Sequence, residues 1–144
     1  MPKLTVWFVR TALGYLAIGI LIGSLLLANR GIPFGLPAAR LLPLHIEFLL
    51  IGWTVQLALG IAFWILPRFR VGPERGRESF VWVSYGLLNV GVMIAAAGPL
   101  MGLPDLMPLL GHTAQGIAAG AFALHAWPRV KGFGAGQTTS PDGS

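Results

Sequence analysis

The chain has 144 residues, 55% of them hydrophobic and only 10% charged, with a mean hydropathy of +0.73. A soluble domain carries about 25% charged residues because its surface faces water, so this composition points to lipid as the solvent. The chain has no cysteine, which excludes disulfides, thiolate metal sites and covalent heme attachment through Cys. Its net charge of +5 sits at segment ends and in loops, which argues against nucleic-acid binding.

A membrane-spanning helix needs about 20 mostly apolar residues. Four stretches meet that need: about 6–28, 41–66, 80–100 and 105–127. The expected fold is therefore an all-α, polytopic bundle of four transmembrane helices. Gly31, Pro33, Gly35 and Pro37 mark the first loop, and Pro67 closes the second helix. Gly72, Pro73 and Gly76 mark the second loop, and Gly102 with Pro104 a tight third turn. One domain spans 1–131, followed at 132–144 by a small, polar tail expected to be disordered.

Orientation follows from the basic residues. Lys3, Arg10, Arg68, Arg70, Arg75, Arg77, Arg129 and Lys131 fall on one side, and only Arg30 and Arg40 on the other. This bias places both termini in the cytoplasm, in a multi-pass protein of the cell inner membrane. Lys3 and Arg10 resemble the start of a signal peptide, but the apolar stretch that follows is too long for one and is read as retained.

Coordinating groups at membrane depth are costly and mark function. His45 lies in the first turns of the second helix and His112 about two turns into the fourth. Both helices start from the outer side, so the two depths differ by only ~5 Å. On a helical wheel Gly52 and Gln56 fall within about 20° of His45, and Gly116, Ala119 and Ala123 within about 40° of His112. Each histidine thus heads a stripe with small residues, as a bis-histidine b-type heme between two helices requires. For either histidine alone, a hydrogen bond to a carbonyl or water is the plainer reading.

Other polar residues carry weaker expectations. His125 falls about 140° from the His112 face and is read as an interfacial anchor beside Trp127 and Arg129. Glu47 lies about 160° from His45, near the water boundary, and is expected to be solvated or turned toward a loop. Gln56 is expected to donate into the bundle or to a bound group. Met93 is a candidate thioether ligand or a packing residue. Arg40, and with it Arg30, stands where heme propionates would be paired.

Residues 42–68, LPLHIEFLLIGWTVQLALGIAFWILPR, share a pattern of early His (His45), Gly52, Gly60, the aromatics Phe63 and Trp64, and closing Pro67. In this pattern the stretch resembles the second helix of the large subunit of heme-copper oxidases and bacterial nitric oxide reductases. The resemblance covers about one helix of this chain and implies that His45 ligates a low-spin heme near the outer surface. The family also carries a His-x-His and a His-His pair, neither of which occurs here. A heme–copper centre from one copy is therefore excluded, copper is not expected, and enzymatic activity of the single chain is not expected either.

The expectation is thus a small membrane b-type heme protein, ligated by His45 and His112, with a role in electron transfer or in chemistry of O2 or NO. With both axial positions filled, electron transfer leads. Two rivals stand beside it: a cofactor-free accessory or assembly subunit of a respiratory oxidase, and, less favoured, a small channel or transporter. The family's threefold plan suggests a homotrimer, with the GxxxG pairs Gly19/Gly23 and Gly116/Gly120 as contact surfaces between copies, and a respiratory-chain partner is possible.

Overall fold

The computed structural model describes residues 1–67 and 78–130, and these contain four helices and no strand. They are α1 (Lys3–Gly31), α2 (Ala38–Ile65), α3 (Glu78–Met101) and α4 (Leu106–Val130). Residues 68–77 of the second loop, with all four of its arginines, Lys131 and the tail lie outside the described residues. The helices α1, α2 and α3 are each long and apolar enough to cross a membrane. At 25 residues α4 is long enough as well, but His112, Thr113, Gln115 and His125 lower its hydropathy.

Side-chain contacts set the directions of the helices. Against α1, numbers fall as they rise on α2: His45 meets Gly23, Leu49 meets Gly19, Gly52 meets Tyr15, and Gly60 meets Phe8. The two helices are antiparallel. The helices α1 and α3 run parallel, joined by hydrogen bonds between Thr11 and Tyr85 at 2.8 Å and from Tyr15 to Asn89 at 3.0 Å. Thr11 donates to the Trp7 carbonyl, so the Tyr85 hydroxyl is the donor to Thr11. The helices α3 and α4 are antiparallel and closely packed, because Gly91, Gly98 and Gly111 let Gln115, Pro108 and Ala95 approach the backbone.

The apolar interior has two stacked parts. One contains Leu4, Phe8, Phe63, Val81, Leu88, Ala118 and Phe122, so all four helices contribute at the end that carries the N-terminus. The other contains Tyr15, Phe48, Val92 and Ala96 and involves α1, α2 and α3 only.

The connections follow local chemistry. Asn29 accepts hydrogen bonds from the backbone of Phe34 and Leu36, folding the first loop back over the end of α1. At the end of α3, Gly102 adopts φ 66, and the Leu103 amide reaches back to the Gly98 carbonyl at 2.9 Å. This is a Schellman termination, which glycine makes without a Cβ penalty. Within α2, residues Phe48–Val55 form wider π turns. The Thr54 hydroxyl donates five residues back to the Leu49 carbonyl at 2.9 Å, in step with that geometry.

One expectation is corrected here. The Gly19/Gly23 pair does not form a free surface for another copy. A Cβ on Gly19 would lie 2.6 Å from Leu49, and one on Gly23 would lie 2.5 Å from His45. The pair seats α2 of the same chain. Gly116 and Gly120 have nothing within 4 Å and face outward.

Candidate functional site

His45 is placed by α2 but oriented by α1. Its Nδ1 lies 2.8 Å from the Gly19 carbonyl oxygen, which can only accept, so Nδ1 carries the proton. In the neutral ring the lone pair is then on Nε2. Metal-ligating histidines are commonly fixed in this way, with the second nitrogen donating to a backbone carbonyl. The ring rests directly on Gly23, where any side chain would collide with it.

Beside the ring, a groove of about 400 Å³ opens between α1 and α2. Its walls are apolar, with Leu26, Leu27, Ala38, Ala39 and Leu42, and Asn29 and Arg30 also line it. The combination of a nitrogen lone pair, aliphatic walls and a guanidinium suits a flat, apolar ligand that carries a metal and a carboxylate.

The remaining candidates fall into three places. Gly52 and Gln56 do face the same side of α2 as His45, but that stripe is already filled. A Cβ on Gly52 would lie 2.6 Å from the Tyr15 ring, and fully buried Gln56 lies 3.5 Å from the Phe8 carbonyl. The stripe is a seam between helices and leaves no room for a macrocycle. Arg40 lies against Gly102 in the α3–α4 turn, while Arg30 lines the groove. Met93 borders a separate lipid-facing groove between α1 and α3.

His112 is not brought to His45. Its Nε2 lies 3.5 Å from a carboxylate oxygen of Glu47, and its side chain is 57% exposed. Glu47 stands on the face of α2 opposite His45, as residues two apart on a helix do. Glu47 itself overturns an expectation: it is neither solvated nor turned to a loop. It is only 9% exposed and accepts a hydrogen bond from the Gln115 side chain of α4. A buried carboxylate requires such partners, and the amide of Gln115 and the imidazole of His112 supply them. Below His112, Gly116, Ala119 and Ala123 are all exposed.

His125 is also corrected. It is 7% exposed, so it lies inside the bundle and not at an interface with water. It packs at a tilt against Phe63, with ring centroids 5.6 Å apart, and its Nε2 accepts from Arg129 at 3.1 Å. Arg129 further donates to the carbonyls of Pro67 at 2.9 Å and Leu66 at 2.8 Å. It thereby ties the last turn of α4 to the two residues that follow α2.

Sequence reasoning missed the interior role of Glu47 and the seating role of Gly23. The signal for Glu47 was its wheel position opposite His45. Among the described residues no group of three or more His, Cys, Asp or Glu side chains converges on a metal position. Comparison of the chain with family models, curated proteins and solved structures gave no match, so no family is shown and the reading of the site rests on its own chemistry.

Proposed function

We propose that this chain is a four-span protein of the inner membrane, with both termini cytoplasmic, that holds a b-type heme on His45. The orientation is supported by the basic residues, eight toward the terminal end against two at the other. The fourth span is supported by the close antiparallel packing of α4 on α3.

The observation that carries the heme reading is the His45 ring itself. Its Nδ1–H is spent on the Gly19 carbonyl at 2.8 Å, and the ring borders an apolar groove that Arg30 also lines. The likeness of residues 42–68 to the heme-bearing helix of the oxidases points the same way. His45 would hold the iron, the aliphatic walls would exclude water, and Arg30 would pair a propionate. The bound group would supply one-electron exchange or reversible binding of a diatomic gas.

The test is the visible absorption spectrum of the purified protein, with a pyridine hemochrome assay. A stoichiometric b-type heme that disappears in His45→Ala is the expected result. A colourless protein from heme-replete cells would overturn the proposal and favour the cofactor-free accessory subunit.

A further inference from the structure

We infer that, among the described residues, His45 is the only axial ligand placed at the groove, so the heme site is built for a small exogenous diatomic ligand on its second side. The inference rests on the heme reading above and deepens it.

The inventory of alternative ligands is short. The sequence contains three histidines, four methionines and no cysteine. Of the groove's lining residues, which include Gly23, Leu26, Leu27, Arg30 and Leu42, His45 alone has an atom suited to iron. The other histidines are committed elsewhere. His112 approaches Glu47, on the face of α2 that points away from the groove. His125 lies thirteen residues further along α4 and accepts from Arg129.

The methionines are no better placed. Met107 packs on Gly98, Met93 borders the groove between α1 and α3, and Met101 ends α3. Met1 begins the chain, at the opposite end of α1 from Gly23 and Arg30. None of the four lines the groove beside His45.

A second copy does not easily repair the deficit through His112. With Nε2 facing the Glu47 carboxylate, the nitrogen left over is Nδ1, which adjoins the Cβ of its own side chain. A macrocycle cannot approach that nitrogen as closely as it approaches Nε2. His45 presents the opposite arrangement, with Nδ1 occupied and Nε2 available. The two rings thus turn different nitrogens outward, and the Nε2 of His45 is the one that suits heme.

The groove's position adds to the argument. Its walls are aliphatic, and O2, NO and CO partition readily into the hydrocarbon of a bilayer. A groove lined mostly by aliphatic side chains of α1 and α2 suits such a ligand.

The experiment uses the full-length protein in mild detergent, reduced with dithionite and exposed to CO, with wild type and His112→Ala compared. We expect a high-spin ferrous spectrum in both proteins, and CO should shift the Soret band of the whole population on mixing. A low-spin, six-coordinate spectrum that CO leaves unchanged would overturn the inference while keeping the heme. If His112→Ala then restored CO binding, the missing ligand would be His112 of a neighbouring copy. A protein that takes up no heme at all would overturn both this inference and the reading it rests on, and the two failures are told apart by the hemochrome assay.

Discussion

The imidazole of His45 presses its Cε1 corner against Gly23, close enough that a Cβ there would stand 2.5 Å from that atom. A side chain at position 23 must therefore push the ring away from the Gly19 carbonyl. Gly23→Val is expected to lower heme occupancy at least tenfold while circular dichroism still reports a helical protein. Full occupancy in Gly23→Val would show that the ring's seat does not matter for binding.

Arg30 and Arg40 separate two readings of the outer end. Only Arg30 lines the groove, whereas Arg40 lies against the α3–α4 turn. Loss of one charge-assisted hydrogen bond costs about 1.5–3 kcal/mol. Arg30→Ala should thus weaken heme binding by about tenfold or more in an apo-protein titration, and Arg40→Ala should leave it unchanged. Equal effects of the two would argue that both act only through general surface charge.

The Glu47–Gln115 pair ties α2 to α4 across 68 positions of sequence. Glu47→Ala leaves the Gln115 amide buried without its acceptor, at a cost of about 1–3 kcal/mol. The thermal midpoint should fall in that variant, and a double-mutant cycle with Gln115→Ala should show coupling. Additive losses would mean that the contact contributes nothing of its own.

Arg129 is expected to matter more than its place near the end of a helix suggests. It holds the carbonyls of Leu66 and Pro67, the two residues that follow α2, and the ring of His125 at once. Arg129→Ala should be strongly destabilising, and Arg129→Lys should recover only part of the loss, because an ammonium lacks the planar fork. His125→Ala, in contrast, should leave the heme spectrum intact, since it stands at the other end of the bundle. A His125→Ala variant that loses heme would displace the site from the groove.

A reporter fused after Ser144 tests the topology. The basic residues predict activity in the cytoplasm alone. Activity on the periplasmic side would invert the bundle and place the groove toward the cytoplasm.

The helices themselves were legible in the sequence, since runs of apolar residues between Gly and Pro clusters leave few alternatives in lipid. The face of α2 that carries His45, Gly52 and Gln56 was legible too, because the residue spacing sets direction on a helix. What fills that face was not. The wheel of α2 carries no information about Tyr15 and Phe8, which come from α1 and take the space a macrocycle would need.

Glu47 shows a different limit. A charge near a helix end was read as a sign of water, yet its partner Gln115 stands two helices later and could not be paired with it by local spacing. The same non-local pairing turned His112 from the expected second ligand into a neighbour of a carboxylate.

The grip of Arg129 on Leu66 and Pro67 also bears on how the chain tolerates change. It fastens the last turn of α4 to the exit of α2, on the very side where the chain leaves for residues 68–77. The antiparallel pairs α1–α2 and α3–α4 are consequently held together by side chains beside the start of that connection. The two hairpins are therefore expected to stay in register when the chain is interrupted there. A cut or an inserted tag between Pro67 and Glu78 is the natural place to divide the gene into two separately translated halves that reassemble in the bilayer.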